Sequence, residues 1–342
     1  MQLPPPLRNA IEAETARHSL PQLLRAAAEL SERYRDSERG AGPLLRTEAH
    51  RIAYLAMRMP GTFAALRRVF AEAAALPIRS LLDLGAGPGT AAWAAAEVFP
   101  SLAEIAQIER DAGWVQLGRR LAQAGASEAL RAAVWRGEDL AEARELPAAD
   151  LVVASYALNE LSIEAASRAA LRAWEAARVA FAVIEPGTTA GFALVRRLRE
   201  ELLARGAHPL APCPHASPCP MPAGDWCHFA ARCERTALHR RLKGGALGYE
   251  DEKFSYLIAT REETAPASAR ILRRPLPGRG FVKLALCTPA GLQQTTVTRN
   301  DEAWKHARKA EWGDALRSPS PRNSAPETTE EEPKEHHYRH CH

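Results

Sequence analysis

Residues 80–90 read Ser80-Leu81-Leu82-Asp83-Leu84-Gly85-Ala86-Gly87-Pro88-Gly89-Thr90, and the fold turns on this stretch. Ser80–Leu84 is a short apolar run of the buried-strand kind, and Thr90–Val98 is an Ala-rich helical stretch. The glycines therefore lie between a strand and a helix. Glycine lets the backbone turn sharply and approach a ligand with no Cβ in the way. The helix start beyond offers free N–H groups to a carboxylate or phosphate. A dinucleotide fingerprint would read G-x-G-x-x-G, and its last glycine is absent here. Asp83, two residues before Gly85, fits a methyltransferase loop better, orienting the methionine part of S-adenosylmethionine through loop amides or water. Glu109, 24 residues after Gly85, ends the next strand and can accept both ribose hydroxyl hydrogens. Glu138 and Asp139, after the third strand, are candidates for the adenine edge. The expected cofactor is S-adenosylmethionine rather than a nicotinamide, bound through Asp83, Gly85, Gly87, Gly89, Glu109, Glu138 and Asp139. The plainer alternative is a tight strand–helix turn without a ligand.

Outward from this loop the pattern alternates. Ser80–Leu84, Ile105–Glu109, Ala132–Trp135, Asp150–Ser155 and Val179–Glu185 look like buried strands. Ala112–Ala122, Ser162–Ala177 and Phe192–Arg205 look like helices. Such alternation predicts an α/β fold: a parallel, Rossmann-like sheet of the methyltransferase type with helices on both faces. Before it, Leu23, Leu24, Ala27 and Leu30, then Phe63, Leu66, Val69 and Phe70, recur at helical spacing, with Pro60-Gly61-Thr62 starting the second run. Residues 1–77 are thus a helical N-terminal extension and 78–207 the α/β core.

After the core the composition breaks. Residues 208–228 hold six prolines and three cysteines without periodicity, and 208–250 read as a Cys-rich insertion. Phe254–Thr260 and Phe281–Cys287 are assigned to the antiparallel strand pair that ends a methyltransferase sheet, within a basic C-terminal element at 251–317. Gly291–Arg299 is a further candidate strand, and Asp301–Ala310 a candidate helix. Residues 318–342 are Pro/Ser/Glu-rich and expected to be disordered.

The bulk numbers bound the function. Of 342 residues, 46% are hydrophobic and 25% charged, enough for an ordinary core. No apolar run approaches the roughly 18 residues that suggest a membrane span. Met1–Leu20 has no apolar stretch of the signal-peptide type and carries Glu12 and Glu14, so a cytoplasmic protein, monomeric when free, is expected. Net charge is only +4, but an acidic tail at 327–335 masks an Arg/Lys-rich stretch from Arg232 to Lys283, which leans towards a polyanionic partner.

Two constellations carry chemistry. Tyr156, Asn159 and Glu160 follow the fourth strand, where ligands of open α/β sheets bind; Tyr156 and Asn159 are the catalytic candidates. The alternative for Asn159 and Glu160 is to cap the next helix. The second constellation is Cys213, Cys219 and Cys227, in a proline-rich loop, with Cys287 ending the last predicted strand. Four thiolates satisfy a tetrahedral zinc or a 4Fe–4S cube. Cys233 is the rival fourth ligand, although Ala230–Arg235 reads as a helix that need not face the site. Cys341, in a His-rich tail, is given no part in the fold. Lys243, Lys253, Arg273, Arg274, Arg279 and Lys283 surround the predicted strand pair, and Lys305, Arg308 and Lys309 fall on the last helix near Trp304 and Trp312. Basic groups neutralise phosphate and exposed aromatics stack on unpaired bases; the alternative is a solvated face with Trp in the core.

The chain resembles the methyltransferase-like assembly factors of the small ribosomal subunit, whose mitochondrial members act on the mitochondrial ribosome. The carriers are residues 82–90, Ile184-Glu185-Pro186-Gly187, the Cys213–Cys219–Cys227 segment, residues 249–256 and residues 308–314. The resemblance implies a 4Fe–4S cluster on Cys213, Cys219, Cys227 and Cys287, and binding to small-subunit ribosomal RNA. With no presequence legible, a bacterial relative is expected. Amino methylation of a base uses an Asn/Asp-Pro-Pro-aromatic stretch after the fourth strand, and carbon-5 methylation of cytosine needs a cysteine there. Here the stretch is Ser155-Tyr156-Ala157-Leu158-Asn159-Glu160. The expectation is an rRNA-binding assembly factor that keeps its cofactor pocket with little or no catalysis. The alternatives are an active rRNA methyltransferase and a zinc-binding small-molecule methyltransferase.

Overall fold

A computed structural model describes residues 1–36, 47–265 and 267–316. The expected disordered tail and Cys341 lie outside the described residues. Four helices come first: α1 (Pro5–Thr15), α2 (Leu20–Asp36), α3 (Glu48–Met57) and α4 (Met59–Glu72). Thr47 caps α3 by accepting from the His50 N–H, and Pro60 sits in the first turn of α4, where no N–H is missed. There follow β1 (Ser80–Leu84), α5 (Thr90–Val98), β2 (Glu104–Ile108), α6 (Ala112–Gln123), α7 (Glu128–Arg131), β3 (Val134–Arg136), β4 (Ala149–Ser155), α8 (Ile163–Ala176), β5 (Ala177–Pro186) and α9 (Thr189–Leu203). The remainder is β6 (His208–Ala211), β7 (Phe229–Glu234), α10 (Ala237–Lys243), β8 (Tyr249–Thr260), β9 (Ala269–Ile271), β10 (Leu276–Gly278), β11 (Phe281–Thr288), β12 (Gly291–Thr298), α11 (Trp304–Ala307) and β13 (Ala315–Leu316).

The central sheet runs β3-β2-β1-β4-β5-β8-β6, with β1 to β5 parallel and β8 antiparallel to β5 and β6. This is the Rossmann-like methyltransferase arrangement that the alternation predicts. The order reverses between β1 and β4, and that switch point opens a crevice at the strands' C-terminal ends. Successive side chains of β4 go to opposite faces: Leu151 and Val153 join the α4–α5 side, Val152 and Ala154 the α8–α9 side. Burial on both faces is what makes these strands continuous apolar runs.

The N-terminal helices share the first of these cores. Phe63, Leu66, Val69 and Phe70 are buried with Leu151 and Phe254 in one cluster, and each such side chain contributes roughly 1.5–3 kcal/mol by leaving water.

The structure departs from the sequence reading at three places. Phe281–Cys287 is not in the central sheet. As part of β11 it belongs to a second sheet, β10-β11-β9-β13, with β12 on β11. Its Val282, Leu284 and Leu286 alternate inward to a small core, whereas Phe254–Thr260 of β8 is buried throughout. The strands that pair with the outer edge of β8 are instead β6, His208–Ala211 from the proline-rich stretch, and β7, Phe229–Glu234; Pro209 is accommodated because β6 is an edge strand. Ala230–Arg235 is not a helix: β7 buries Phe229, Ala231 and Cys233 at period two, a pattern that the alanines obscured. The helix expected over 301–310 shrinks to Trp304–Ala307.

Candidate functional site

The glycine loop closes over the end of β2. Gly85 and Ala86 donate to Ile108 O at 2.9 and 3.0 Å, and Gly87 N donates to Glu109 Oε2 at 2.8 Å. Glu109 Oε1 accepts from Asp111 N at 2.8 Å. Its carboxyl is pushed up by burial, against the pull of these two N–H groups. Gly85 has φ +68°, and a Cβ there would stand 2.6 Å from that of Ala157, so the β1 and β4 turns meet only because this residue is glycine. Gly89, at φ +82°, precedes α5 and lies over the Gln107 side chain.

Beneath the loop, Asp83 is 1% exposed, and neither carboxylate oxygen has a hydrogen-bond partner among the described residues. Gln107, its register partner on β2, is equally buried, and its Oε1 has no partner among the described residues. Burial, with Glu109 nearby, pushes the Asp83 carboxyl up to about 8. A buried acid and a buried carbonyl side by side, both without donors, call for a ligand that brings positive charge and N–H groups. Asp139 is committed: it accepts from Ala141 N at 2.8 Å and pairs with Arg110 at 3.1 Å, which together hold its carboxyl below the usual range. Glu138 stands beside it, partly buried.

At the end of β4, Tyr156 adopts φ +54°, a left-handed conformation unusual for a non-glycine residue. Its hydroxyl donates to Glu252 Oε1 at 3.2 Å, and burial pushes the phenol well above its ordinary range. Asn159 is exposed in a 3-10 turn, Leu158–Glu160. The helix cap is Ser162, which accepts from Ala165 N, so Asn159 and Glu160 do not fill that role. Under the turn lies Glu185, fully buried, accepting from Leu158 N at 3.1 Å, with Oε2 lacking a partner among the described residues and the carboxyl pushed up to about 8 by burial. Sequence reasoning assigned no role to Gln107, Glu185 or Glu252. Glu185 had a usable signal, an acid at the end of a strand beside the switch point.

Cys213, Cys219, Cys227 and Cys287 line one cavity together with Arg199 and Arg270. The loop is held by α9: Arg199 donates to His215 O and Ser217 O, both at 2.8 Å, and Arg196 to Cys219 O and Met221 O at 3.3 and 3.2 Å. Cys287 pairs in register with Arg270 of β9, so the second sheet, not the first, delivers it. Cys233 is elsewhere, on β7, with Sγ 3.9 Å from Glu250. Burial raises the Cys213, Cys227 and Cys287 thiols, the last to about 12, and the neighbouring cysteines add to this. Among the described residues, no group of three or more His, Cys, Asp or Glu side chains is placed to hold a metal ion.

The basic residues divide. Lys253, Arg274, Arg279, Lys283, Lys305, Arg308 and Lys309 are exposed. Arg273 pairs with Asp225, beside Cys227, and Arg274 with Asp251. Lys243 is not a free cation: its Nζ lies 2.6 Å from Glu250 Oε2, which also pairs with Arg235. Trp304 packs on the core of the second sheet, and Trp312 meets His228 edge-on at 4.9 Å; neither is an open stacking platform. Among the described residues, no helix is long and apolar enough to cross a membrane.

Comparison with known proteins adds family to geometry. The chain is 28% identical over 312 residues to the human "Ribosome assembly protein METTL17, mitochondrial", a match covering 84% of this chain and 67% of that protein. It is 24% identical over 333 residues to "Rsm22-cox11 tandem protein 2, mitochondrial" of Schizosaccharomyces pombe, covering 78% of this chain but only 43% of the yeast protein, less than half its length. Among solved structures, magnesium protoporphyrin IX methyltransferase from Synechocystis PCC 6803 with bound S-adenosylmethionine overlaps 65% of this chain and 87% of its own, at 13% identity and a TM-score of 0.40. The strand order, rather than this overlap, defines the fold. Residues 48–317, well over half of the chain, match the family described as "Mitochondrial small ribosomal subunit Rsm22", and the chain belongs to that family.

Proposed function

We propose that this protein assists assembly of the small ribosomal subunit, binding its rRNA while holding S-adenosylmethionine in the β1–β4 crevice and a 4Fe–4S cluster on Cys213, Cys219, Cys227 and Cys287. The observation that carries the ribosomal reading is membership of a small-subunit family over residues 48–317, joined by a relative named as a ribosome assembly protein.

The chemistry of the donors supports the two ligands. S-adenosylmethionine brings an ammonium and a sulfonium, the charge that unpartnered Asp83 calls for, and Glu109 is the acid for the ribose hydroxyls. When bound, the cofactor supplies an electrophilic methyl group. Four thiols on one cavity, Cys287 buried and the other three half-buried, suit a thiolate-held group. Four thiolates satisfy either a 4Fe–4S cube or a single zinc, and the cluster is preferred on the resemblance of the Cys213–Cys219–Cys227 segment to its family. The exposed Lys283, Lys305, Arg308 and Lys309 supply phosphate contacts. Its location follows the sequence expectation, the reducing cytoplasm, although both relatives are named as mitochondrial.

Binding rather than catalysis is the reading for the β4 end, because the Tyr156 hydroxyl is committed to Glu252. The test is co-sedimentation with isolated small subunits at modest salt, followed by methyl transfer from labelled cofactor to their RNA. Failure to co-sediment sinks the ribosomal role. Labelled RNA, with turnover, would replace the assembly factor by an active methyltransferase.

A further inference from the structure

The wall of the cysteine cavity carries a charge that no described acid balances. Arg199 on α9 is 3% exposed. Its Nη2 donates to two peptide carbonyls of the cysteine loop, and its Nε has no hydrogen-bond partner among the described residues. Its helix neighbours each have a carboxylate: Arg196 pairs with Glu200 and Arg197 with Glu201. Arg270, the other buried arginine on the cavity wall, is neutralised by Glu72 at 2.6 Å. Arg199 has no such partner among the described residues. A guanidinium stays charged at every accessible pH, so it cannot escape burial by losing its proton as a lysine does. Carbonyl dipoles orient such a cation but do not cancel its charge, and an uncompensated ion in the interior is costly. The groups that share this cavity wall with Arg199 and carry negative charge as metal ligands are the four thiols.

We propose that Arg199 is the counter-ion of the metal centre on Cys213, Cys219, Cys227 and Cys287. This rests on the thiolate-held centre proposed above. Four thiolates around a doubly charged core, iron–sulfur or zinc, leave a net negative charge in the cavity. One guanidinium in the wall offsets part of it. A bound cluster that accepted one electron from an external reductant would have one positive charge fewer in its core and leave the cavity more negative still. Arg199 favours that reduced form and so raises the potential, besides retaining the centre. Arg199 is a positioning and tuning residue, not a ligand.

The test uses the full-length wild type, Arg199→Gln and Arg199→Lys, each purified and reconstituted without oxygen with ferrous iron and sulfide. Iron and sulfide content, loss of metal to a chelator and the midpoint potential are measured. Arg199→Gln should hold a centre that is lost several-fold faster and is reduced at a more negative potential. Arg199→Lys keeps the charge while losing the planar fork, and should stay close to the wild-type potential. A wild-type potential in Arg199→Gln overturns the proposal. So does a Lys variant as shifted as the Gln variant, which would make Arg199 a strap for the loop carbonyls only. If Arg199→Gln does not fold, Arg199→Met takes its place as the neutral variant and is read against Arg199→Lys by the same two outcomes. If the wild type loads zinc instead of iron, chelator resistance of the three proteins reads the same question. Wild type that holds neither metal removes the centre and this role together, whereas a loaded wild type with an unaltered Gln variant removes only the role of Arg199.

Discussion

The Tyr156 hydroxyl donates to Oε1 of Glu252 across 3.2 Å, tying the end of β4 to β8. Glu252 is also the side chain that a Cβ on Gly61 would strike at 2.9 Å, so the same contact reaches the first turn of α4. The first turn of α4 is thereby packed against the β8 side chain that holds the end of β4. Tyr156→Phe should destabilise the fold by about 1–2 kcal/mol, the cost of leaving a buried acceptor short of a donor. It should leave S-adenosylmethionine affinity unchanged. Urea unfolding and calorimetric titration read the two quantities. A variant that folds as stably as wild type but loses cofactor affinity would return Tyr156 to the binding site.

Asp83 makes the cofactor pocket sensitive to pH. Its carboxyl is raised to about 8 in the folded protein by burial, and then by Glu109. Between roughly pH 4 and 8 the folded chain keeps a proton here that the unfolded chain has released. The stability it contributes is full below that window and is lost as pH rises through it. Glu185, also raised to about 8 by burial, acts with the same sign. Asp83→Asn should flatten part of this slope in unfolding measured across the window. A cationic ligand favours the charged carboxylate, so S-adenosylmethionine binding at pH 7 should expel about one proton. Calorimetry in buffers of different ionisation enthalpy measures it. No proton release, or equal release from Asp83→Asn, would mean that Asp83 does not face the cofactor.

Local signals were the legible ones. The strand Ser80–Leu84 and helix Thr90–Val98 are found at the residues read from sequence, because glycine spacing and apolar runs are properties of a few consecutive positions. β7 was not legible, since its alanines suit a helix as readily as a strand, and only pairing with β8 decides. β11 was legible as a strand but not by its place, because its alternation fits any one-sided sheet and its membership of the second sheet depends on β9, β10 and β12. For the same reason sequence reading alone left Cys233 and Cys287 as rivals, and the register of Cys287 opposite Arg270 brings only the latter to the cavity. Gln107 and Glu252 look ordinary in sequence; what marks Gln107 is a buried oxygen without a partner among the described residues, as it marks Glu185, and Glu252 is marked by a half-buried bond to Tyr156.

That separation of the cysteines gives a sharp contrast. Cys287→Ser and Cys213→Ser should each lower bound iron and sulfide after anaerobic reconstitution, with loss of the charge-transfer absorption of a thiolate-held cluster. Cys233→Ser should retain both, because its Sγ is turned to Glu250 on another part of the fold. Iron retained in Cys287→Ser but lost in Cys233→Ser would move the fourth ligand to β7 and remove the second sheet from the site.

Lys243 and Arg308 look alike in sequence but should behave differently on RNA. The Lys243 ammonium is one of the groups around the Glu250 carboxylate, with Arg235 at 2.8 Å and His239 at 3.4 Å. Burial alone would raise Glu250, but His239, Lys243 and Arg235 outweigh it and hold the carboxyl far below its usual range. Its contribution to stability is therefore present above the unfolded value and lost as pH falls through the lower folded one. Lys243→Ala should cost about 1–2 kcal/mol of stability at neutral pH, soften acid resistance, and leave the salt dependence of RNA binding as it was. Arg308 is exposed on the last turn beyond α11. Arg308→Ala should leave stability alone and reduce the slope of log affinity against log salt by about 1, the signature of one lost phosphate contact. Fluorescence anisotropy on a small-subunit rRNA fragment over a salt series measures the slope. A slope changed by Lys243→Ala and not by Arg308→Ala would put the RNA on the α10 side of the molecule, away from the second sheet.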